Sequence, residues 1–194
     1  MPTPDVTAFV RAALPPPPAR VLEVGAGDGT LAEALTAAGY DVVAIDPASE
    51  SPAVRRVALH ELDEPPFDAA VAVVSLHHVE PLGESCARLG TLVRPGGVLV
   101  VDEVDFARVD ERAGRWWLDR SGHPEHALAH LDHMHPLARL REALQPYFEL
   151  GEPVRGPYLY RWNMPTDVRA EEEAQIAAGD LPATGARLVG IRRP

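Results

Sequence analysis

Three glycines alternate in the stretch Glu23-Val24-Gly25-Ala26-Gly27-Asp28-Gly29-Thr30, between an apolar run and an alanine- and leucine-rich one. Glycine tolerates positive φ and lets a ligand approach the backbone with no Cβ in the way. A helix beginning just beyond offers free N–H groups and the positive end of a dipole. The spacing bears on the ligand. The dinucleotide fingerprint is G-x-G-x-x-G/A; counted from Gly25, its third small position falls on Thr30, and the fit fails. The spacing here is G-x-G-x-G, with an acid two residues before the first glycine. Asp46 closes the next apolar run, where a carboxylate accepts hydrogen bonds from both hydroxyls of a ribose. NAD and S-adenosylmethionine share that need, so Asp46 points to a nucleoside without choosing between them. The plain alternative is a tight turn with Asp46 as a cap.

Histidines supply the second set of reactive groups. His77 and His78 follow a later apolar run, and imidazole suits general base chemistry near neutral pH. Five of the eight histidines lie between 123 and 135: His123, His126, His130, His133 and His135. His126, His130 and His133 share one face of a helix by i, i+4, i+7 spacing, with Asp119 or Asp132 near enough to add oxygen. There is no H-E-x-x-H and no cysteine partner, and we assign no metal. The bland reading of this segment is a solvated helix face or a polar cap on a pocket.

The elements that must position these groups follow from the pattern of residues. Residues 5–14 read as a short helix with Val6, Phe9, Val10 and Ala13 on one face, ended by Pro15–Pro18, a stiff spacer. Arg20–Val24 reads as a strand, Thr30–Ala38 as a helix stopped by Gly39, and Tyr40–Ile45 as a second strand, which makes a βαβ unit. Arg55–Leu59 is a weak third strand. Phe67–Val74 is apolar throughout, as strands covered on both faces are. Pro81–Val93 reads as a helix, Arg94–Gly97 as a turn, and Val98–Val101 as a fifth strand ending at Asp102-Glu103. Residues 107–145 interrupt the rhythm with helices near 108–120 and 134–145. Phe148–Val154 and Tyr158–Trp162 have β character, which would put Tyr158, Tyr160 and Trp162 on one face. Thr166–Ala178 reads as an acidic helix whose Glu171–Glu173 run is a solvated face, and Ala186–Ile191 as a last strand. Five parallel strands followed by two late ones suggest an open α/β sheet. We expect residues 1–194 to form one domain, with 107–145 as a helical insertion on the substrate side.

Five segments in order and spacing now resemble class I S-adenosylmethionine-dependent methyltransferases: Val21–Gly29, Val42–Asp46, Phe67–Val71, Ser75–Val79 and Leu92–Leu99. The resemblance implies a Rossmann-like α/β fold, a mostly parallel seven-stranded sheet with an antiparallel last strand and helices on both faces, and S-adenosylmethionine as methyl donor, with S-adenosylhomocysteine as its product. It implies that Gly25, Ala26, Gly27 and Gly29 lie against the methionine portion and ribose, and that Glu23 orients the methionine amino group. Asp46 would hold the ribose hydroxyls, with Pro47 near the adenine. An acid after the third strand usually meets the adenine amino group; Glu61 with Leu62 is our choice, and Asp63 is nearly as plausible. Val74 and Ser75 would present backbone to the methionine amino group. His77, His78, His133 and His135 are the catalytic or substrate-side candidates, the last two because this family inserts recognition elements after the fifth strand.

Composition narrows the acceptor. The net charge of −11 argues against a general nucleic-acid or anionic-membrane binder. The N-terminus has no signal-peptide pattern, no stretch approaches the ~20 apolar residues of a membrane span, and Cys86 is the only cysteine. We therefore expect a cytoplasmic protein of undetermined oligomeric state acting on a small metabolite or natural-product intermediate, at oxygen or nitrogen. A non-catalytic cofactor binder on the same fold is the alternative, and a nicotinamide-dependent enzyme is disfavoured by the glycine spacing. Trp116-Trp117 and the tyrosines near 160 read as packing rather than as a substrate wall.

Overall fold

The computed structural model describes residues 4–124 and 133–194. Strands β1 (Arg20–Val24), β2 (Asp41–Ile45), β3 (Phe67–Val73), β4 (Val93–Val104), β5 (Phe148–Leu150), β6 (Val154–Gly156) and β7 (Gly185–Arg192) form one sheet in the order β2-β1-β3-β4-β7-β5, with β6 also on β7. β1 to β4 pair in parallel and β7 runs antiparallel between β4 and its outer neighbours. The helices are α1 (Pro4–Ala13), α2 (Thr30–Ala37), α3 (Leu82–Leu92), α4 (Glu111–Ser121), α5 (Leu137–Leu144) and α6 (Arg169–Ala178). None of them is long and apolar enough to cross a membrane.

The apolar strands are continuous because both faces are covered. Val21, Ala69, Val71 and Val100 point to one side, where α1 (Val6, Val10) and α2 (Leu31, Leu35) cover them. Leu22, Val24, Ala70, Ala72, Leu99 and Val101 point to the other, beneath α3 (Leu82, Cys86, Leu89) and α5 (Leu137, Leu140, Leu144). A third cluster joins Trp116 and Trp117 of α4 to Leu159, Trp162 and Ile176, off the sheet.

Three expectations are corrected. The segment 55–59 is no strand: Arg55 makes one parallel bridge to Ile45, and the chain then turns through Leu59–Glu61. Its ladder is limited to Arg55 N–H on Ala44 O (2.9 Å) and Asp46 N–H on Arg55 O (3.0 Å). Tyr158–Trp162 is also no strand; Leu159–Arg161 is a 3-10 turn. The carboxylate of Glu172 accepts the N–H groups of Tyr158, Leu159 and Tyr160 at 2.8–3.0 Å, which a strand would have given to a ladder. Glu172 is for that reason fully buried, whereas its acidic run was expected to be solvated.

The chain leaves β1 toward β2 and returns to place β3 on the opposite side of β1. Strand order therefore reverses at the carboxyl ends of β1 and β3, where open α/β sheets receive ligands. Gly25 follows β1 there, and Val74-Ser75 follows β3.

Candidate functional site

The turn after β1 is built on positive φ values at Gly25 (70°), Gly27 (56°) and Gly29 (85°). Gly25 N–H and Ala26 N–H both donate to Ile45 O, at 2.8 and 3.0 Å, which fastens the turn to the end of β2. Asp46 is tied to it as well. Its Oδ2 accepts from Gly27 N–H at 3.0 Å, and its Oδ1 accepts from Ala48 N–H at 2.8 Å. Each carboxylate oxygen keeps a further lone pair for a ligand. Gly25 is confined by its neighbours: a Cβ there would sit 2.3 Å from Ser75 Cβ. At Gly27 a Cβ would meet nothing within 4 Å, so that backbone faces open space.

The turn after β3 carries the opposite wall. Val74 has φ 52°, an unfavourable conformation for a β-branched residue that costs about 1–3 kcal/mol. The surroundings hold it there. Val74 N–H donates to Asp102 O at 2.7 Å, and Glu103 Oε1 accepts from Ser75 N–H (2.8 Å) and Leu76 N–H (2.7 Å). Glu103 Oε2 lies 2.7 Å from Nδ1 of His77. Glu103 is 1% exposed and His77 3%, so this is a buried carboxylate–imidazole pair just behind the turn.

Two cavities flank this junction, and both are lined by Gly25 and Val74. The larger, about 570 Å³, also takes in Asp46, Pro47, Ala48, Val57, Ala58, Leu59, Ser75 and His78. It is a mostly apolar slot with two carboxylates in its lining, Asp46 beside the glycine turn and Glu80 beyond His78, suited to a heteroaromatic base and its ribose. The smaller, about 350 Å³, is lined by Glu23, Ala26, Gly27, Asp28, Leu31, Tyr158 and Arg161. Glu23 is 4% exposed, and its Oε2 has no hydrogen-bond partner among the described residues. Burial pushes its carboxyl up to about 8, opposed by the Ala32 amide and helped by the nearby charge of Asp28. Asp28 itself is held low, chiefly by the Thr30 N–H.

These placements sort the expected residues. Glu23, Gly25, Ala26, Gly27, Asp46, Pro47, Val74 and Ser75 line one cavity or the other. Gly29 does not line them; it packs behind the turn, where a Cβ would meet Val54 at 3.1 Å. Glu61 and Leu62 lie outside the lining, since the 3-10 turn sends the Glu61 side chain to solvent and the Leu62 side chain into the core. Asp63 is also exposed, paired with Arg88. Val57, Ala58 and Leu59, just before them in the chain, line the larger cavity.

His78 lines the larger cavity, where partial burial and the neighbouring His77 hold its pKa below the usual histidine value. His135 donates its N–H to His77 O at 3.0 Å, and its ring lies 2.9 Å from Glu80, a residue of the same cavity. His133 is exposed. His126, His130 and Asp132 lie outside the described residues, and so does the face they were expected to share. Arg161 and Glu103 were not among the expected site residues, Tyr158 was read as packing and Glu172 as a solvated face. A usable signal existed for Glu172: it falls four residues from both Val168 and Ile176, on the apolar face of α6.

A model of the methyltransferase domain matches residues 4–147 of this chain. An uncharacterized methyltransferase of Mycobacterium tuberculosis (strain H37Rv) is 39% identical over 114 residues, which cover 50% of this chain and 56% of that protein. The match thus spans about half the length of that relative. Among solved structures, a putative methyltransferase from an antibiotic biosynthesis pathway of Anabaena variabilis superposes with a TM-score of 0.69 at 16% identity, over 98% of this chain and 97% of that one. The 1,6-didemethyltoxoflavin-N1-methyltransferase of Burkholderia thailandensis, with its substrate and S-adenosylhomocysteine bound, superposes with a TM-score of 0.61 at 19% identity, over 98% of this chain and 78% of that one.

Proposed function

We propose that this chain, which belongs to the class I S-adenosylmethionine-dependent methyltransferase family, transfers a methyl group from S-adenosylmethionine to an oxygen or nitrogen of a small molecule. The observation that carries the donor site is the pair of cavities meeting at Gly25 and Val74, with Asp46 bordering one and Glu23, whose Oε2 is unpartnered among the described residues, bordering the other. An elongated ligand with a nucleoside at one end and an ammonium at the other matches that arrangement of charge. The Val57–Leu59 wall stacks against the base, Asp46 accepts from the ribose hydroxyls, and Glu23 takes the ammonium.

The donor supplies a sulfonium methyl, electrophilic without assistance from a metal. What remains for the protein is to hold the acceptor atom in line, roughly 3 Å from the reacting carbon. Where the acceptor is a hydroxyl or an ammonium, a base must also take its proton. His77 is our candidate for that role: Glu103 Oε2 lies 2.7 Å from its Nδ1 and orients the ring, with Nε2 the nitrogen left for an acceptor. The Phe106 ring stands edge-on to His77 at 5.1 Å and is itself edge-on to Trp162 at 6.1 Å, an aromatic margin suited to a flat acceptor. The N-methylation of a heteroaromatic small molecule named for the Burkholderia protein on the same fold supports the small-molecule reading.

The test is methyl transfer from labelled S-adenosylmethionine to a panel of phenols, catechols, carboxylates and heteroaromatic amines. Acceptor-dependent release of S-adenosylhomocysteine is the expected result. Tight donor binding with no transfer to any acceptor class would favour the non-catalytic alternative, since fold alone does not establish activity.

A further inference from the structure

Among the described residues, the methionine-side cavity has one cationic residue in its lining, Arg161. It comes from the 3-10 turn Leu159–Arg161, far along the chain from the glycine turn, and its side chain is 9% exposed. Nη1 donates to Asp102 Oδ1 at 2.7 Å. Among the described residues, Nε and Nη2 donate to nothing. The guanidinium lies 5.0 Å from the centre of the Tyr158 ring, so its plane is braced by an aromatic face.

Two buried carboxylates fix where it points. Glu172 gathers three successive amides, from Tyr158 to Tyr160, and so sets the turn that carries Arg161. Asp102 holds the guanidinium, but shares its charge with Arg187, whose Nε reaches Asp102 Oδ2 at 2.7 Å. A shared carboxylate leaves Arg161 with charge and donors to spend on a ligand. The opposite feature of the same cavity is Glu23, buried and with one oxygen unpartnered. A cation with free N–H groups and an unsatisfied carboxylate lining one small cavity are complementary to a zwitterion, the α-amino acid head of a ligand.

We propose that Arg161 binds the α-carboxylate of the donor's amino-acid end, and that Glu172 and Asp102 act as positioning residues for it. This rests on the donor reading above. A guanidinium matches a carboxylate with two parallel N–H donors, which gives direction as well as strength. The consequence is selectivity: the cavity should favour nucleosides that keep the carboxylate over otherwise identical ones that have lost it.

The experiment is calorimetric titration of the full chain with S-adenosylhomocysteine and with its decarboxylated analogue, in the parent and in Arg161→Ala, Arg161→Lys and Glu172→Gln. We expect the parent to bind S-adenosylhomocysteine ~10–100-fold more tightly than the analogue, the range for a hydrogen bond between charged groups. Arg161→Ala should lose most of that ratio, leaving the analogue's affinity within about threefold of the parent. Arg161→Lys should restore part of it, and Glu172→Gln should reduce it without touching any ligand atom. Equal losses for both ligands would overturn the proposal, because a merely structural role moves both. Unchanged S-adenosylhomocysteine affinity in Arg161→Ala would overturn it too, and would assign the guanidinium to an anionic group on the acceptor. Failure of the parent to bind either ligand would bring down the donor reading itself, and this proposal with it.

Discussion

The hydroxyl of Ser75 donates to the carbonyl oxygen of Val24 at 2.7 Å, joining the carboxyl ends of β1 and β3 at the point where strand order reverses. The contact holds the two strand ends together and brings Ser75 Cβ against Gly25. Every group at the donor cleft is placed relative to this junction.

Gly25 and Gly27 should therefore respond differently to alanine. At Gly25 the new Cβ would fall 2.3 Å from Ser75 Cβ, and the backbone has φ 70°. Gly25→Ala should lower the melting temperature by several degrees and abolish measurable S-adenosylhomocysteine binding. At Gly27 the new Cβ meets nothing within 4 Å and only the positive φ opposes it, a cost of about 1–2 kcal/mol. Gly27→Ala should fold with a smaller loss of stability, yet bind the ligand more weakly because the methyl projects into the cavity. Thermal melts and titrations of the two variants side by side check this.

Asp46→Ala should weaken S-adenosylhomocysteine binding by about 1–3 kcal/mol, the range for hydrogen bonds to a charged group. Asp46 also accepts from Gly27 and Ala48 N–H groups, so the variant loosens the glycine turn as well. Asp46→Asn, which keeps one carbonyl oxygen, should lose less. Equal affinity in all three proteins would remove Asp46 from the site.

Glu23 should make stability and binding depend on pH in opposite senses. Burial lifts its folded pKa to about 8, above the ordinary carboxyl value of 4.5. Between those values the folded state holds a proton that the unfolded state has released, so this group's contribution to stability falls as pH rises from about 4.5 to about 8. An ammonium favours the ionised carboxylate, so ligand binding should release a proton from Glu23 below pH 8. Titrations in buffers of different ionisation enthalpy measure that release, and Glu23→Gln should remove it. Identical proton release in Glu23→Gln would contradict the assignment.

His77 and Glu103 should act as a unit in turnover. His77→Ala and Glu103→Gln are each expected to lower kcat by roughly 10²–10⁴-fold if the acceptor must lose a proton. The double variant should be little worse than either, as for groups that function together. Glu103→Gln also disturbs the Ser75 and Leu76 amides, so donor affinity needs measuring in parallel. Full turnover in His77→Ala would end its role as base.

What was legible in the sequence was what chain neighbours specify. The glycine turn and Asp46 depend on local spacing and the apolar strands on continuous apolar runs, and Gly25, Ala26, Gly27 and Asp46 line the cleft. What was not legible depends on convergence of distant segments. Glu103 meets His77 across 26 residues, Arg161 meets Asp102 across 59, and both pairings require the sheet to be assembled first. Glu61 and Leu62 fall outside the cavity lining, which Val57–Leu59 supply, because Arg55 makes one bridge and the chain then turns. Tyr158–Trp162 carried a strand-like pattern that Glu172 overrode by taking its amides.

The cleft at Gly25 and Val74 is proposed as a site for an S-adenosyl nucleoside. The most direct measurement is calorimetric titration of the full chain with S-adenosylhomocysteine and, separately, with NAD. One equivalent of S-adenosylhomocysteine should bind, more weakly in Asp46→Ala, and NAD should give no heat. Binding of NAD with comparable affinity, or no binding of S-adenosylhomocysteine, would contradict the account.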